Sequence, residues 1–414
     1  MVSLQRPFSS TDSKSRPRFG AHLAQPPSTA ISPTPYSPGL APRPSSLRPH
    51  CLARDRLRLW KPANPPLRAN AQPDEEASDA QLERILQVIN ASWAESTKTT
   101  YGAGLLVFHV YCDLHDVAEE RRCPISPTLL LSFLSSCAGS YSGASLNNYV
   151  AGLKAWHLLH GHQWVVNAAE LKATLEGASR LAPPLSKCTS REPFTTDLIT
   201  QFRSFLNLSS SLDAAVFACV TVCFWTIARL GELTVPNVKA FDALKHITPS
   251  DISKTIDRNG NQVMKFRIPI TKMSAPDGNG EYIQCASQEG PADPMAALDN
   301  HFRINKVGPH DHLFAWKPND GPLRPLSKRQ VTSFIAKLAQ SRNLPSLKGH
   351  SLRIGGTLEY LLRGIPFDVV QAQGRWAGKS FTIYLRKHAM ILAPYLQASP
   401  ALEPFTRYTQ PPIR

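Results

Sequence analysis

The sequence predicts a mainly α-helical protein with a small β-hairpin or sheet, an α+β fold. Two patterns carry this prediction: apolar residues recur at helical spacing from about residue 78 onward, and one alternating stretch, residues 263–268, precedes a strong turn signal. A third observation sets the domain boundaries. Of the 36 prolines, 14 lie in residues 1–73, and Pro183-Pro184 interrupts the helical pattern.

Residues 1–77 are predicted to be a disordered tail rich in proline, arginine and serine. Proline breaks helix interiors, and the segment offers little apolar surface to offset the entropy of ordering. The tail is basic, because residues 1–73 hold 11 basic and two acidic residues. An arginine- and serine-rich start is also typical of a mitochondrial transit peptide, but its proline density disfavours the amphipathic helix that such a peptide needs.

Residues 78–182 are predicted to form a compact bundle of four or five helices. Residues 101–111 and 146–156 each place apolar side chains on one helix face. Ser126-Pro127 has the pattern of an N-cap followed by a first-turn proline. A short helix is expected near residues 168–179, before the prolines that end the domain.

Residues 185–400 are predicted to be a second domain, followed by a C-terminal tail over 401–414. Residues 263–268 and 282–285 can pair as a hairpin, since Asp277-Gly278-Asn279-Gly280 between them is a strong turn signal. Helices are predicted over residues 295–303, 328–341, 353–363 and 367–373.

Composition excludes several classes of protein. The net charge of +15 indicates a polyanionic partner, with nucleic acid ahead of an anionic membrane surface. A membrane span is not predicted, because the longest apolar run, residues 214–228, has 15 residues and a span needs about 20. The eight cysteines form no CxxC pair and the start has no compact apolar region, which favours reduced thiols in a nuclear or cytosolic protein.

Two charged residues stand out in the first half of the second domain. Arg229 directly follows the apolar run, where a guanidinium needs an anion if it is desolvated. The simplest interpretation is an internal ion pair with Glu232. Lys272 lies at the end of the first hairpin strand, where a lysine is usually only an exposed side chain.

Three more candidates follow in the second half. His350 and Arg353 are one helical turn apart, so both can face one site at the start of a helix, where a phosphate would also meet free backbone amides. A capping histidine and a surface arginine are the simpler interpretation. Tyr384 lies in Gly-Arg-Trp-Ala-Gly-Lys-Ser-Phe-Thr-Ile-Tyr-Leu-Arg, where a tyrosine alone is more often part of the core.

The order of these residues is more specific than any one of them. Arg229, a hairpin lysine, His-x-x-Arg and Gly-Arg-Trp with Tyr384 eight residues after Trp376 together resemble the tyrosine recombinases, the λ-integrase-like DNA breaking-rejoining enzymes. The resemblance covers about residues 90–400, because the helical bundle looks like that family's core-binding domain. The Ala-Arg-Leu-Gly-Glu-Leu and Gly-Arg-Trp variants look most like recombinases of eukaryotic mobile elements of the Crypton and DIRS kinds.

The resemblance implies the reaction and its residues. Tyr384 would attack the scissile phosphodiester and leave a 3′-phosphotyrosyl link and a free 5′-hydroxyl. Arg229 and Arg353 would stabilise the phosphorane with bidentate hydrogen bonds. Lys272 would protonate the leaving 5′-oxygen, and His350 would act as a general base or hydrogen-bond donor.

Two further residues and the cofactor requirement follow from the same resemblance. Trp376 stands where many members have histidine and some have tryptophan; its indole N–H donates a hydrogen bond but cannot shuttle a proton. Glu232 would orient Arg229. No metal, ATP or other cofactor is implied, because two arginines and a lysine replace a metal and the phosphotyrosine conserves bond energy.

The expected partner is double-stranded DNA, held in a C-shaped clamp between a helical, SAM-like core-binding domain and the catalytic domain. DNA contacts are assigned to Lys98, Lys154, Lys172 and Arg375. The family also implies a homotetramer on paired DNA sites, with residues 385–396 as a candidate exchanged helix, and a nuclear location. The acidity of the bundle is unexpected for half of a clamp, since residues 74–181 hold 7 basic and 12 acidic residues.

Several alternatives stay open. The chain can be a catalytically silent DNA-binding regulator domesticated from a mobile element, or a type IB topoisomerase, whose site is chemically similar. Tyr360 and Tyr395 are alternative nucleophiles. His157, His160 and His162 do not share one helix face and are not predicted to bind a metal, and the other residues considered and set aside as structural are Cys219, Cys223, His310 and His312.

Overall fold

The chain divides into two compact units, residues 1–188 and 189–414. The structure, a computed structural model, describes residues 33, 35–64, 78–186, 192–257, 260–271, 280–318, 321–345, 347–384, 388–393 and 396. Helices dominate both units, and the described residues of the second unit also form a three-stranded antiparallel sheet. The prediction of a mainly α, α+β fold is confirmed.

The helices of the first unit are α1 (Arg56–Leu59), α2 (Asp79–Ala91), α3 (Glu95–Leu114), α4 (Pro127–Cys137), α5 (Gly143–Leu159) and α6 (Ala168–Leu181). The second unit contains α7 (Thr196–Ser204), α8 (Ser211–Trp225), α9 (Pro294–Asn305), α10 (Lys328–Ser341), α11 (Gly349–Leu362), α12 (Phe367–Gln373) and α13 (His388–Leu392), with strands β1 (Ile252–Ile256), β2 (Gln262–Ile268) and β3 (Glu281–Ala286). No helix among the described residues is both long enough and apolar enough to cross a membrane.

Side-chain caps start most helices of the first unit. The Ser126 hydroxyl accepts a hydrogen bond from the Leu129 amide, and Pro127 occupies the first turn of α4, as predicted. Ser78 and Gln81 form a reciprocal capping box at the start of α2. The core of this unit lies between α3 and α5, where Phe108 and Trp156 are fully enclosed.

The N-terminal segment contradicts the prediction of a disordered tail over residues 1–77, at least across residues 35–64, here called the N-terminal strap. Leu57 and Trp60 have no exposed surface, and the Trp156 indole donates a 2.7 Å hydrogen bond to the Trp60 carbonyl oxygen. The proline-rich composition hid this packing. One large aromatic residue and a few apolar ones bury enough surface to order a short segment against an existing bundle.

Arginines of the strap bind acids of the bundle. The Arg48 guanidinium lies 2.5 Å and 2.6 Å from the two carboxylate oxygens of Glu119, and its side chain is 2% exposed. It also lies 3.6 Å from Asp113, which pairs with Arg122 at 2.8 Å. The basic strap therefore neutralises the acidic bundle, which accounts for the bundle's unexpected charge.

The second unit is built around α8, of which residues 214–225 are all buried. The sheet has the order β1-β2-β3, and the predicted hairpin is present, with Arg267 opposite Tyr282 and Ile268 opposite Glu281. Strand β1 was not predicted, because four of its five residues are exposed and its sequence lacks the alternation that marks a half-buried strand.

Candidate active site

The first arginine of the site follows the end of α8. A tight turn after Trp225 places Ile227 at φ 51°, and a 3-10 turn, Leu230–Glu232, comes directly after Arg229. Arg229 Nη1 lies 2.9 Å from Glu232 Oε1, and the Arg229 backbone amide donates to Glu232 Oε2 at 2.9 Å. The Arg229 side chain stays 33% exposed while Glu232 is 6% exposed. The ion pair foreseen as the simplest interpretation is therefore present, and it fixes one edge of a guanidinium that still reaches the surface.

The second arginine lies on α11 and is almost completely enclosed. This helix begins at Gly349, four residues before the predicted start, so His350 and Arg353 both lie in its first turns. Arg353 donates through Nη1 to the Ile227 carbonyl oxygen and through Nη2 to the Gly374 carbonyl oxygen at 2.6 Å. Its exposure is 1%. Arg353 is therefore not the surface arginine of the simpler interpretation, and it connects the segment before Arg229 to the turn before Trp376.

The turn after α12 lies directly beside Arg353. The Arg353 guanidinium carbon lies 4.2 Å from the centroid of the Trp376 ring, a cation–π distance. A Cβ on Gly374 would lie only 1.7 Å from the same ring, so this position has room for glycine alone. Trp376 thus packs on Arg353 because the residue two before it has no side chain.

The segment that ends at Tyr384 contacts Trp376 through Phe381. Residues Lys379–Tyr384 form a 3-10 helix, and the ring of Phe381, which is buried, lies 5.6 Å from the ring of Trp376. The side chain of Tyr384 lies outside the described residues, and so does the whole of Lys272. Their roles stay predictions.

Arg375 forms ion pairs with two carboxylates of the site, Glu232 and Glu281. Its Nη2 lies 2.5 Å from Glu232 Oε2 and its Nη1 lies 2.5 Å from Glu281 Oε2. Burial alone would raise the pKa of Glu232, but the charge of Arg375 and the hydrogen bonds from Arg229 and Arg375 outweigh it and lower the pKa. Glu232 is therefore an ionised carboxylate shared by two arginines.

The structure thus brings together the candidates Arg229, Glu232, Arg353, Arg375 and Trp376, with His350 on the same helix as Arg353.

Solved structures similar to this chain include those of recombinases and integrases. The XerH site-specific recombinase in a post-cleavage complex with palindromic difH substrate is 13% identical, with 83% of this chain and 93% of that chain covered and a TM-score of 0.48. The Tn1549 transposon integrase in complex with transposon right end DNA is 14% identical, with 79% and 99% covered and a TM-score of 0.45.

At TM-scores below 0.5, the likeness to these structures carries no conclusion about this chain. The FLP recombinase of a Holliday junction complex is 13% identical and has a TM-score of 0.28 over 62% of this chain and 78% of that chain. No protein-family model matches the sequence, and no curated protein matches it either. The function proposed below is therefore derived from the residues of this chain.

The alternative nucleophiles are less suited to the role. The Tyr360 hydroxyl donates a 2.7 Å hydrogen bond to the Trp225 carbonyl oxygen, and burial strongly raises its pKa. Loss of its proton is therefore disfavoured. Tyr395 lies outside the described residues.

The lysines assigned to DNA lie in different environments in the first unit. Lys98 is largely buried, and its ammonium lies 2.9 Å from Glu95. Lys154 is exposed, and Lys172 is 77% exposed with Glu176 at 3.9 Å. Lys154 and Lys172 are therefore available to an external anion, whereas Lys98 is engaged within its own helix.

His157, His160, Cys219 and Cys223, which the sequence analysis set aside, have structural roles. His157 Nε2 accepts a hydrogen bond from the Ile125 amide, and His160 Nε2 contacts the Leu57 carbonyl oxygen. Cys219 and Cys223 are fully buried, and burial raises the pKa of Cys223 to about 12. Among the described residues, no group of three or more histidines, cysteines or carboxylates is arranged to hold a metal ion.

Two residues of the site were missed by sequence reasoning. Glu281 begins β3 directly after a turn, where a charged residue is usually solvated, and Gln373 ends α12. Gln373 Nε2 donates a 2.7 Å hydrogen bond to the Gln284 carbonyl oxygen on β3. Their roles depend on contacts between distant segments, for which the sequence carries no signal.

Proposed function

We propose that this chain is a DNA breaking-rejoining enzyme that forms a covalent 3′-phosphotyrosyl intermediate through Tyr384. The observation that carries the proposal is the enclosed Arg353, which binds the Ile227 and Gly374 carbonyl oxygens and the Trp376 ring. These contacts join three separate parts of the sequence pattern at one place. The two carbonyl oxygens and the ring fix the orientation of a guanidinium that, in the proposed reaction, meets a phosphate.

In the proposed cleavage step, the Tyr384 oxygen bonds to phosphorus as the bond from phosphorus to the 5′-oxygen breaks. The phenolic proton leaves to a base, for which His350 is the candidate, and Lys272 gives a proton to the departing 5′-oxygen. Arg229 and Arg353 stabilise the extra negative charge of the phosphorane. Rejoining is the reverse: a 5′-hydroxyl attacks the phosphotyrosine and releases Tyr384, so that no bond energy is lost.

We further propose that the enzyme derives from a mobile element and acts in the nucleus as a homotetramer on paired DNA sites. The sequence supports this origin through its Ala-Arg-Leu-Gly-Glu-Leu and Gly-Arg-Trp variants. The exposed Lys154 and Lys172 of the first unit are the candidates for phosphate contacts there. Phosphate contacts of this kind set affinity and position, and they carry no base specificity.

A nicked duplex taken from the DNA that flanks the encoding locus tests the proposal. A nick next to the cleaved bond lets a short fragment diffuse away, so the covalent complex accumulates and migrates slowly on a denaturing gel. Wild type and the control variant Tyr282→Phe, which changes a residue of β3 that is 55% exposed, are expected to form the adduct. Tyr384→Phe is expected to form none.

The other outcomes separate the alternatives. An equal yield of adduct from Tyr384→Phe and wild type would refute Tyr384 as nucleophile. DNA binding without cleavage by wild type would favour the catalytically silent regulator. Relaxation of supercoiled plasmid without exchange between sites would favour a type IB topoisomerase.

A further inference from the structure

Arg375 is held between two carboxylates. Its Nη2 lies 2.5 Å from Glu232 Oε2, its Nη1 lies 2.5 Å from Glu281 Oε2, and the side chain is only 13% exposed. Two carboxylates neutralise the Arg375 guanidinium, which weakens its attraction for a DNA phosphate. This arrangement disfavours the direct DNA contact that the sequence suggested for Arg375.

We propose that Arg375 is a positioning residue, which acts through Glu232 on Arg229 and through Glu281 on the start of β3. The inference rests on the proposed function, since it explains how the groups of that site are held. Arg375 itself touches no reacting atom in this account.

The first link runs through Glu232, whose two oxygens are divided between two arginines. Oε1 binds Arg229 Nη1 at 2.9 Å, while Oε2 binds Arg375 Nη2 and the Arg229 backbone amide. Without Arg375, this buried carboxylate would keep Arg229 as its only cation. Arg229 would then be drawn towards both oxygens, because a bidentate pair is the most favourable geometry between a guanidinium and a carboxylate. Fewer of its donors would remain for phosphate.

The second link runs through Glu281 to the base of the hairpin. Glu281 is the first residue of β3 and lies opposite Ile268, the last residue of β2. Gln373, two residues before Arg375, also contacts β3, because its Nε2 donates a 2.7 Å hydrogen bond to the Gln284 carbonyl oxygen. The end of α12 and the turn after it therefore contact β3 at two places, Glu281 and Gln284.

The backbone of this turn holds the other arginine. The Gly374 carbonyl oxygen accepts from Arg353 Nη2 at 2.6 Å, one residue before Arg375. Arg375 has φ 55°, a left-handed conformation that costs a residue with a Cβ about 1 kcal/mol. The contacts on either side hold it there. One strained turn therefore connects both arginines and the hairpin base.

Arg375→Ala tests the inference, because alanine keeps the Cβ and hence the same backbone strain. We expect the cleavage rate of the preformed protein–DNA complex on the nicked duplex to fall roughly 10- to 100-fold, the effect typical of residues that orient a reacting group. The dependence of log K on log salt concentration is expected to stay as in wild type. Loss of a phosphate contact would instead reduce that slope by about one.

Four further variants distinguish positioning from general damage. Glu281→Gln removes one of the two ion pairs of Arg375 with little change of shape and is expected to slow cleavage as well. Arg375→Lys, which keeps the charge but reaches one carboxylate only, is expected to recover part of the rate. Arg303→Ala, which removes an exposed arginine of α9, is expected to leave cleavage unchanged. The effects of Arg375→Ala and Glu232→Gln are expected to be non-additive, because one acts through the other.

The results that overturn the inference are distinct from failure of the proposed function. Cleavage at the wild-type rate by both Arg375→Ala and Glu281→Gln would refute it, and so would a salt slope reduced by about one with normal cleavage of the bound complex. If Arg375→Ala does not fold, the cleavage rates of Glu281→Gln and Arg375→Lys test the inference, and wild-type rates for both would refute it. An absence of adduct from wild type would instead refute the proposed function.

Discussion

Arg229 and Arg353 meet their surroundings in different ways. Arg229 is paired with a carboxylate and partly exposed, so solvent and Glu232 both screen its charge. Arg353 is enclosed, and its bonds to two carbonyl oxygens and its contact with Trp376 orient it. An enclosed, oriented cation interacts more strongly with a developing negative charge than an exposed one, because the local dielectric constant is lower.

A substitution at Gly374 tests the importance of the contact between Trp376 and Arg353. Gly374→Ala would place a Cβ 1.7 Å from the Trp376 ring, so the ring must leave its place over the guanidinium. We expect the free energy of unfolding to fall by about 1–3 kcal/mol, as for other overpacked sites, and covalent adduct formation to slow. Urea unfolding and the nicked-duplex assay measure the two effects.

A matched control lies four residues later. A Cβ on Gly378 would meet nothing within 4 Å, so Gly378→Ala is expected to change stability by less than about 0.5 kcal/mol. Equal effects of the two substitutions would show that Trp376 does not need its present position.

At the scale of elements, the N-terminal strap is part of the first unit. A Cβ on Gly102 of α3 would lie 1.8 Å from the Ala53 carbonyl oxygen, so the strap lies directly on the helix backbone at this point. Arg56 Nη1 also donates to the Gly102 carbonyl oxygen at 3.0 Å. The strap and α3 therefore need a glycine where they meet.

Gly102→Ala is expected to displace the strap and destabilise the first unit by about 1–3 kcal/mol, because the contacting atoms are backbone and cannot rotate away. Gly177→Ala on α6, where nothing lies within 4 Å, is expected to stabilise by about 0.5–1 kcal/mol through helix propensity. Chemical denaturation and protease sensitivity of residues 35–64 measure both. A Gly102→Ala protein as stable and as protected as wild type would mean that the strap does not need this contact.

Local signals decided which elements were predictable. Both bounds of α10 match the prediction, and its start is marked in the sequence by the capping box of Ser327 and Gln330. Strand β1 was missed, because an exposed strand is stabilised by its neighbour and not by its own pattern. The strap was missed because its order comes from long-range packing and ion pairs with the bundle.

In the molecule as a whole, basic residues of the N-terminal segment form ion pairs with acidic residues of the helical bundle. Residues 1–73 are basic and residues 74–181 acidic, and the structure pairs Arg48 with Glu119 and, across the surface, Arg43 with Asp116 at 2.8 Å. Much of the charge of the N-terminal segment is thus used inside the first unit. Most of the positive charge left over lies in the second unit, since residues 182–414 hold 28 basic and 17 acidic residues.

Buried histidines make the stability of both units depend on pH. Burial lowers the pKa of His157 and His301 to about 4 and that of His312 to about 3. His157 and His312 each accept a backbone N–H through a ring nitrogen, which requires the neutral ring. Since the unfolded chain binds protons at these residues near pH 6.5 and the folded chain does not, stability is complete above about pH 6.5 and is lost as pH falls towards about 4.

Urea unfolding at about pH 7.5 and about pH 5 checks this dependence. The midpoint is expected to be lower at the acidic pH for the transitions of both units. His310→Gln, which changes an exposed histidine, is expected to leave the difference in place. A midpoint that is equal at both pH values would contradict the account.

The order of residues in the sequence indicated the candidates for the site. It did not indicate the contacts between them. Arg229, His350, Arg353 and Trp376 were found because their types and order fit one reaction. The division of Glu232 between Arg229 and Arg375 depends on the approach of β3 to the turn after α12, which no local pattern encodes. For this reason Arg375 was assigned to DNA, while the structure places it between two carboxylates.

In the proposed reaction, Tyr384 becomes covalently joined to DNA. Mass spectrometry of the protease-digested adduct from the nicked duplex identifies the residue that is joined. We expect a single peptide joined to a 3′-phosphate through Tyr384, together with a DNA fragment whose 5′-hydroxyl is phosphorylated by a kinase without prior phosphatase treatment. DNA joined to another residue, or to a 5′-phosphate, would contradict the proposed reaction.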